Sequence, residues 1–353
     1  MTTSASRSST RAELTAPVAT HTREVRLARR PHGEPSLDDF ALAEVPVPVR
    51  RPGQLLVRNT WMSVDPYMRG RMDDRDSYLP PFQLGSVLEG SALGEVLGSD
   101  DPAFPVGSTV VHFAGWRDHA VIDAVTATRV DVEHITPQMY LGPLGTTGLT
   151  AHLALTESAP VRRGDTVLVS SAAGAVGSVA GQLARALGAG RVIGSAGGPD
   201  KVALLRDELG FDAAIDHRLG DLPGQVAAAA PDGVDVYVDL VGGPMLEAVL
   251  GTMNANGRIA AVGAVSEYNA VEPPPGPRNL YTIATKRLSV RGLLVTDHLD
   301  RFPAWFAVAV PLLEAGTLVT LETVRHGLDS APQALIDLLA GRSRGKMLVA
   351  LAS

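Results

Sequence analysis

The segment from Asp165 to Gly188 constrains the fold more than any other part of this chain. It consists of an apolar run, a Gly-rich turn and an amphipathic stretch, DTVLVSSAAGAVGSVAGQLARALG. An apolar run such as Asp165–Ser171 is typical of a strand buried on both faces of a parallel sheet. The turn Ala172–Gly177 lacks the first glycine of the usual G-x-G-x-x-G pattern, but its place between a strand and a helix predicts a pyrophosphate-binding site. The alternative is a tight structural turn that binds no ligand.

The stretch after the turn has the periodicity of an amphipathic helix. Apolar side chains recur at spacings of three and four and are predicted to face the core: Val176, Val179, Ala180, Leu183 and Leu187. Gly188 stands where such a helix would end. Apolar strands and helices then alternate along the chain, at Arg191–Ala196, Lys201–Gly210, Val234–Gly242, Gly257–Val265 and Leu288–Val295. This alternation predicts an α/β fold with a doubly wound parallel sheet and right-handed crossovers.

The end of the second apolar strand indicates which nicotinamide cofactor the turn would bind. An NAD site usually has an Asp or Glu about 20 residues after the turn, where the carboxylate holds the ribose 2′-hydroxyl. Here that stretch, Gly194–Gly198, contains no carboxylate, whereas Lys201 follows it and His217 and Arg218 end the third strand region. Cations without a competing acid favour NADP(H), whose 2′-phosphate they would bind. The alternative for Lys201 is a solvated helix residue.

The chain before this alternating region has a different pattern. Short predicted strands at Gly53–Val64, Gly90–Gly98 and Gly107–Trp116 are separated by Gly and Pro, which is typical of a small β-barrel-like domain. After residue 316, a strand, a helix and a final strand are predicted to return to that domain. We therefore expect the barrel domain over residues 23–137 and 317–353 and the nucleotide-binding domain over 138–316. The Ser/Thr-rich residues 1–22 are predicted to form a disordered tail, with an organelle transit peptide as the alternative.

Composition excludes several classes of protein. The chain has 353 residues, of which 45% are hydrophobic and 20% charged, and this suits a globular protein of two domains. Cysteine is absent, which excludes disulfides, a thiolate nucleophile and Cys-ligated zinc. A net charge of −7 without a basic stripe argues against nucleic acid as a partner. No apolar run approaches the roughly 18 residues of a membrane span, and without a secretory signal the expected location is the cytoplasm.

Five stretches resemble one known family: Leu56–Met72, Ala172–Gly188, Lys201–Asp216, Gly257–Asn269 and the closing GKMLVAL. The family is the zinc-independent medium-chain dehydrogenases/reductases, in the branch of the prostaglandin reductases (leukotriene B4 12-hydroxydehydrogenases) and alkenal double-bond reductases. The segment SVDPYMRGRM is specific to this branch. The resemblance implies a GroES-like β-barrel domain interrupted by a Rossmann domain, with NADP(H) as the cofactor. It also implies a homodimer that pairs through the edge strand at Leu288–Val295.

The family's cofactor-binding residues carry over to particular positions of this chain. They are Gly174, Ala175, Val176, Gly177, Lys201, His217, Val262, Gly263, Tyr268, Leu293, Leu294, Val295 and Ser343. Three positions depart from the family pattern, because His217 replaces a Tyr and both Leu240 and Ser343 replace an Asn. A histidine beside a phosphate binds it best when protonated, so His217 is expected to make the cofactor affinity depend on pH.

A catalytic zinc ion finds no ligands in this pattern. The zinc alcohol dehydrogenases of the same superfamily carry a metal-binding His in a Gly-His-Glu stretch, which corresponds here to Gly85-Ser86-Val87. His112 and His119 lie in strand-like sequence. We interpret both as ordinary surface or core histidines and not as a metal-binding pair.

Without a metal, hydride transfer needs a carbon that is already electrophilic. The β-carbon of an α,β-unsaturated ketone or aldehyde fits this requirement. The enolate that forms then needs a hydrogen-bond donor at its oxygen and a proton at its α-carbon. Tyr268 is the candidate donor and Tyr67 is expected to line the opposite wall, although either could instead be a packed aromatic residue.

The main prediction is therefore an NADPH-dependent enone or 2-alkenal reductase that acts on a small unsaturated carbonyl compound. A zinc-free quinone oxidoreductase would use the same cofactor site, and a non-catalytic nucleotide-binding protein is the alternative outside the enzymes. The presence of Tyr67, Tyr268 and the Gly-rich turn argues against the non-catalytic alternative. Arg69 and Arg71 are expected to be structural and to pair with nearby Asp73 or Asp76, although a substrate carboxylate could use one of them.

Overall fold

The computed structural model describes residues 20–351. Its strands are β1 (His21–Leu27), β2 (Phe40–Pro46), β3 (Gln54–Ser63), β4 (Ala92–Gly98), β5 (Thr109–His112), β6 (His119–Asp123), β7 (Thr128–Arg129), β8 (Thr166–Val169), β9 (Arg191–Ala196), β10 (Ala213–Asp216), β11 (Val234–Asp239), β12 (Met253–Ala261), β13 (Ser289–Gly292), β14 (Glu322–His326) and β15 (Lys346–Ala350). Its α-helices are α1 (Tyr67–Arg71), α2 (Thr146–Leu153), α3 (Ala175–Ala186), α4 (Pro199–Asp207), α5 (Leu222–Ala229), α6 (Gly243–Thr252), α7 (Thr282–Thr285), α8 (Phe302–Glu314) and α9 (Ala331–Leu339).

A six-stranded parallel sheet forms the centre of the nucleotide-binding part. Its order is β10-β9-β8-β11-β12-β13, and every neighbouring pair is parallel. The first of these strands along the chain, β8, lies in the middle, and the strand order reverses beside it. This is the doubly wound order in which ligands bind at the carboxyl ends of the strands, next to the reversal point. The predicted Rossmann-type sheet is confirmed.

Alternation along the strands explains why the sheet is covered on both faces. Val167 and Val169 of β8 pack with apolar side chains of α2, α3 and α8 in one cluster. Leu168, between them, packs on the opposite face with side chains of α5 and α6. Since successive side chains of a strand point to opposite faces, a continuous apolar run is what a doubly covered strand requires.

The helix after the Gly-rich turn is present, but its last predicted core residue is not buried. Val179 and Leu183 are buried and Val176 is half-buried. Leu187, which was expected on the same face, is 38% exposed because α3 ends at Ala186. The chain turns away through Gly188 at a φ of 97°, a left-handed conformation that favours glycine.

A seven-stranded sheet unites the beginning and the end of the described chain. Its path is β14-β15-β3-β4-β5-β7, with β6 also paired to β3, and β1 and β2 form a separate ribbon. The strand predictions at Gly53–Val64 and Gly90–Gly98 match β3 and β4, and the third predicted strand shortens to β5. The C-terminal strands β14 and β15 join the sheet of the first part, and β15 pairs antiparallel with β3. A strand-rich domain with an inserted parallel sheet is therefore observed.

The domain limits given above remain predictions. Of the expected tail at residues 1–22, residues 1–19 lie outside the described part of the chain, and β1 begins at His21. Among residues 20–351, no helix has the length and apolarity that would let it cross a membrane.

Candidate active site

The Gly-rich turn follows β8 directly at the carboxyl edge of the parallel sheet. Gly174 is the N-cap of α3, and no side chain of the described chain caps this helix end. Ala175 and Val176 form the first turn of α3, so their N–H groups point out of the helix start. A Cβ atom at Gly177 would collide with the carbonyl oxygen of Ser171 and lie 2.7 Å from Ala172 Cα. The turn therefore needs glycine at this position and presents free N–H groups to an anion.

The alanine at the first glycine position of the motif is accommodated by a neighbouring strand. Ala172 is fully buried, and its N–H donates to the Ser195 carbonyl oxygen at 2.8 Å. An ideal Cβ at Gly194 of β9 would lie 2.7 Å from the Ala172 Cβ. Gly194 thus leaves the space that the methyl group of Ala172 occupies, and the altered motif keeps its shape.

Basic side chains occupy the place where an NAD site would hold its acid. Gly197 follows the end of β9, and an ideal Cβ there would lie 2.8 Å from His217 Cε1 and 2.9 Å from Arg218 Nε. The nearby carboxylate of Asp216 is held by the main chain, because its Oδ1 accepts from the N–H groups of Gly198 at 2.9 Å and Arg218 at 3.0 Å. A side chain at position 197 would displace His217, so the absence of an acid there is part of the packing.

Lys201 lies in the same cluster, and its binding to the 2′-phosphate stays a prediction. Its half-buried ammonium donates to the Gly341 carbonyl oxygen at 2.8 Å, which leaves two of its three donors free. Burial and the charges of Arg218 and Arg344 lower the pKa of Lys201. Burial and Arg218 likewise lower the pKa of His217. Each positive charge in this cluster makes protonation of its neighbours less favourable, and the negative charge of a bound 2′-phosphate would offset this repulsion. The cluster Lys201, His217 and Arg218 therefore fits NADP(H).

The loop after β12 is fastened to the loop after β11. The N–H groups of Val262 and Gly263 both donate to the Asp239 carbonyl oxygen, at 2.9 and 3.2 Å. Tyr268 closes back on this loop, since its hydroxyl lies 3.3 Å from an ideal Cβ at Gly263. Glycine at position 263 therefore permits a close approach of the Tyr268 hydroxyl to the backbone.

Tyr268 in this loop and two tyrosines of the first part of the chain, Tyr67 and Tyr78, have raised pKa values. Burial raises the pKa of Tyr268, and burial together with the Asp65 carboxylate raises that of Tyr67. The Tyr67 hydroxyl is buried and has no hydrogen-bond partner in the described chain. Burial, followed by the influence of Tyr268 and Asp65, raises the pKa of Tyr78 to about 12. Sequence analysis missed Tyr78, which belongs to no motif. All three hydroxyls are protonated at neutral pH and can donate hydrogen bonds.

Two further parts of the predicted cofactor-binding set lie just after strand β13 and just before strand β15. Leu293–Val295 was expected in a strand, but β13 ends at Gly292 and these residues follow it. Leu293 is buried and bonded through its N–H to the Ala261 carbonyl oxygen at 3.0 Å, whereas Leu294 is 39% exposed. Ser343 is buried just before Gly345, whose N–H donates to the Ala173 carbonyl oxygen of the Gly-rich turn at 2.7 Å.

The two arginines of the SVDPYMRGRM segment are structural, but only one has its predicted partner. Arg69 is buried and binds Asp73 at 2.7 Å, and it also donates to the Gly33 carbonyl oxygen. Arg71 does not bind Asp73 or Asp76. It pairs with Glu89 at 3.1 Å, donates to the Pro80 carbonyl oxygen and lies over the Phe82 ring at 4.0 Å, so the prediction for its partner was wrong.

His112 is a core histidine with both ring nitrogens engaged. Its Nδ1 accepts from the Ala114 N–H at 3.0 Å, so its Nε2 carries the proton and donates to Asn59 Oδ1 at 2.9 Å. Burial lowers the pKa of His112 to about 3. His119 is half-buried on β6.

Two family models and several known proteins match the chain. Residues 23–130 match the N-terminal domain of oxidoreductase, and residues 175–314 match zinc-binding dehydrogenase. The chain is 39% identical to the 2-alkenal reductase (NADP(+)-dependent) of Nicotiana tabacum, over 90% of this chain and 94% of that protein. It is 36% identical to the NADPH-dependent curcumin reductase of Escherichia coli (strain K12), over 92% of this chain and 96% of that protein. The crystal structure of CurA in complex with NADPH from Vibrio vulnificus has a TM-score of 0.90 and 36% identity, and it covers 94% of this chain and 99% of that chain.

Proposed function

Because the chain belongs to the zinc-independent medium-chain dehydrogenases/reductases, in the branch of alkenal and enone reductases, we infer that it reduces the C=C bond of α,β-unsaturated ketones or aldehydes. Its cofactor is NADP(H), which supplies a hydride for the β-carbon when bound. The observation that carries this inference is the Tyr268 hydroxyl, which closes on Gly263 in the loop after β12, at the carboxyl edge of the parallel sheet, and stays protonated because burial raises its pKa. A site of this kind can donate hydrogen bonds to a carbonyl oxygen without a metal.

We propose that the Gly-rich turn and the cation cluster orient the cofactor. The N–H groups at the start of α3, in Ala175 and Val176, would hold the pyrophosphate. Lys201, His217 and Arg218 would hold the 2′-phosphate, with charge-assisted hydrogen bonds from each. The reactive end would then lie beside Val262, Gly263 and Leu293–Val295, at the carboxyl ends of β12 and β13.

We propose that Tyr268 stabilises the enolate. As hydride adds to the β-carbon, the π electrons move to the carbonyl oxygen, and the α-carbon of the enolate then takes a proton from solvent water. The Tyr268 hydroxyl would donate to the developing oxyanion, which it can do because its raised pKa keeps the proton on the phenol. Tyr67 would form the opposite wall from the barrel domain.

The experiment that tests this function is NADPH oxidation with an alkenal, an enone and a quinone, in the wild type and in Tyr268→Phe. We expect turnover with the alkenal or the enone. The Tyr268→Phe variant should lose about 10²-fold in kcat, as expected for one lost oxyanion donor, while its Kd for NADPH stays unchanged. Tyr281→Phe is the matched control, because Tyr281 is 78% exposed. Turnover of the quinone alone would contradict the proposed substrate class, and a kcat within about threefold of wild type would make Tyr268 a wall residue.

We also propose a cytoplasmic homodimer. Support for the dimer comes from β13, the last strand of the parallel sheet, which pairs only with β12 among the described strands. All four of its residues are exposed, including Val290 at 45%. An unpaired edge of this kind is ready to pair with the same edge of a second copy.

A further inference from the structure

Lys346 is a buried cation at the start of the last strand. Its ammonium donates to Asp65 Oδ1 at 2.8 Å and to the Val64 carbonyl oxygen at 3.0 Å, and it lies 3.4 Å from the Met347 carbonyl oxygen. The Lys346 side chain is 3% exposed and that of Asp65 is 13% exposed. All three donors of the ammonium therefore have acceptors inside the protein.

Asp65 leads directly into the helix that carries Tyr67. The Ser63 hydroxyl donates to the other carboxylate oxygen of Asp65, and the Asp65 carbonyl oxygen accepts from the Met68 N–H at 3.1 Å. Tyr67 is the first residue of α1, two positions after Asp65. Both ends of Asp65, its side chain and its carbonyl group, are thus held, and the direction in which α1 starts is set with them.

The residue before Lys346 touches the cofactor-binding turn. The Gly345 N–H donates to the Ala173 carbonyl oxygen at 2.7 Å, and the Lys346 N–H donates to the Leu321 carbonyl oxygen at 2.8 Å. Gly345 has a φ of 61°, and a Cβ there would collide with the Leu321 carbonyl oxygen. Only glycine fits at this position, and it leaves Lys346 little freedom to shift relative to the turn.

We propose that Lys346 is a positioning residue that acts through Asp65 to place Tyr67 against the cofactor-binding turn. The proposal rests on the function inferred above, in which Tyr67 lines the substrate site. Two hydrogen bonds, joined by the covalent chain of Gly345 and Lys346, connect Ala173 of the Gly-rich turn with Asp65 before α1. The two walls of the site come from different domains, and this path connects them.

Stability alone gives a poor account of such a pair. Burying two charges costs several kcal/mol, and a buried ion pair is often no more stabilising than apolar side chains of similar volume. The pair does, however, fix the orientation of the two side chains, because the ammonium must bind the Asp65 carboxylate and the carbonyl oxygens of Val64 and Met347 together. A misplacement of about 1 Å in a site can cost about 10²-fold in rate, so directional control has a large effect on activity.

The test is a double-mutant cycle between Lys346→Met and Tyr67→Leu, which removes the ring that lines the site, with an enone as substrate. We expect Lys346→Met to lower kcat/KM by about 10- to 100-fold in the wild-type background and by less than about threefold in the Tyr67→Leu background. Lys286→Met is the matched control and should leave kcat/KM unchanged. Its ammonium also donates to two carbonyl oxygens, of Gly251 at 2.9 Å and Met253 at 2.6 Å, but lies away from the site. The same loss in both backgrounds would overturn the proposal and leave Lys346 a merely structural residue.

A readout independent of turnover separates this proposal from the proposed function. Lys346→Met should speed amide hydrogen exchange in Tyr67–Arg71 at least tenfold, while exchange in β9 stays as in the wild type. Unchanged exchange in α1 would overturn the positioning role even if the enzyme reduces enones. A wild type without enone turnover would instead refute the proposed function, and the exchange result would still decide whether Lys346 holds α1. If Lys346→Met does not fold, the same measurements are made on Asp65→Asn.

Discussion

Replacing Lys201 by alanine tests the origin of the preference for NADP(H). Two donors of the Lys201 ammonium are free to bind a 2′-phosphate, and the third holds the Gly341 carbonyl oxygen. A hydrogen bond to a charged group contributes about 1.5–3 kcal/mol, which corresponds to roughly 10- to 100-fold in Kd. Lys201 is half-buried and Arg218 and Arg344 lie beside it, so they partly replace its charge. We therefore expect the lower end of this range, about a tenfold weaker affinity for NADPH.

The assay is equilibrium titration of NADPH and NADH by fluorescence, at low and constant salt because charge pairs are screened. Lys201→Ala should weaken NADPH binding and leave NADH binding within about twofold, since NADH has no 2′-phosphate. Lys286→Ala serves as the control, because the Lys286 ammonium binds carbonyl oxygens in the same domain away from the cluster. Equal weakening for both cofactors would refute the reasoning and show that Lys201 acts through the contact with Gly341. Equal wild-type affinities for NADPH and NADH would refute the whole assignment of the cluster.

Three further outcomes follow from the geometry. NADPH should bind more tightly as the pH falls from about 8 to 6, because burial and Arg218 lower the pKa of free His217 and a bound phosphate would raise it again. Below about pH 6 the phosphate itself takes up a proton, which ends this trend. In titrations between about pH 6 and 8, His217→Asn should remove the gain. Gly177→Ala should weaken NADPH binding at least tenfold, since the new Cβ collides with the Ser171 carbonyl oxygen, and binding as in the wild type would contradict this. Val290→Lys should give a monomer in light scattering if β13 is the dimer edge, and a monomeric wild type would exclude the dimer.

The parts of the fold that follow from local periodicity could be predicted from the sequence. The strand Arg191–Ala196 has the bounds expected from its apolar run, and the Gly-rich turn lies between β8 and α3 as its pattern indicates. Both features depend on residues that are close together in the sequence, so the pattern of one sequence is enough to predict them. The prediction that Leu187 faces the core is wrong for a local reason as well, because α3 ends one residue earlier and Gly188 already leaves the helix.

The contacts that sequence analysis missed are those set by tertiary packing. Arg71 was assigned to acids within five residues, but the fold brings it to Glu89 and Phe82 instead. After burial, the largest influence on the pKa of Tyr78 comes from Tyr268, which is far from it in the sequence. No periodicity or motif predicts such a pair, because the packing of whole helices and strands determines which residues far apart in the sequence lie close together.

The three departures from the family pattern have unequal consequences in this structure. At position 240 the main chain makes the contact with the loop that carries Tyr268. The Leu240 carbonyl oxygen accepts from the Val265 N–H at 3.3 Å, so this contact does not depend on the side chain. Ser343 is buried before Gly345, whose own N–H binds the Gly-rich turn. Only His217 can change the charge of the site, which it does when its ring is protonated. Its ring lies against Gly197, where a carboxylate would have to stand in an NAD enzyme. We therefore expect the substitution to keep the selectivity for a phosphate and to couple phosphate binding to protonation of His217, so that pH affects the cofactor affinity and not the hydride-transfer step.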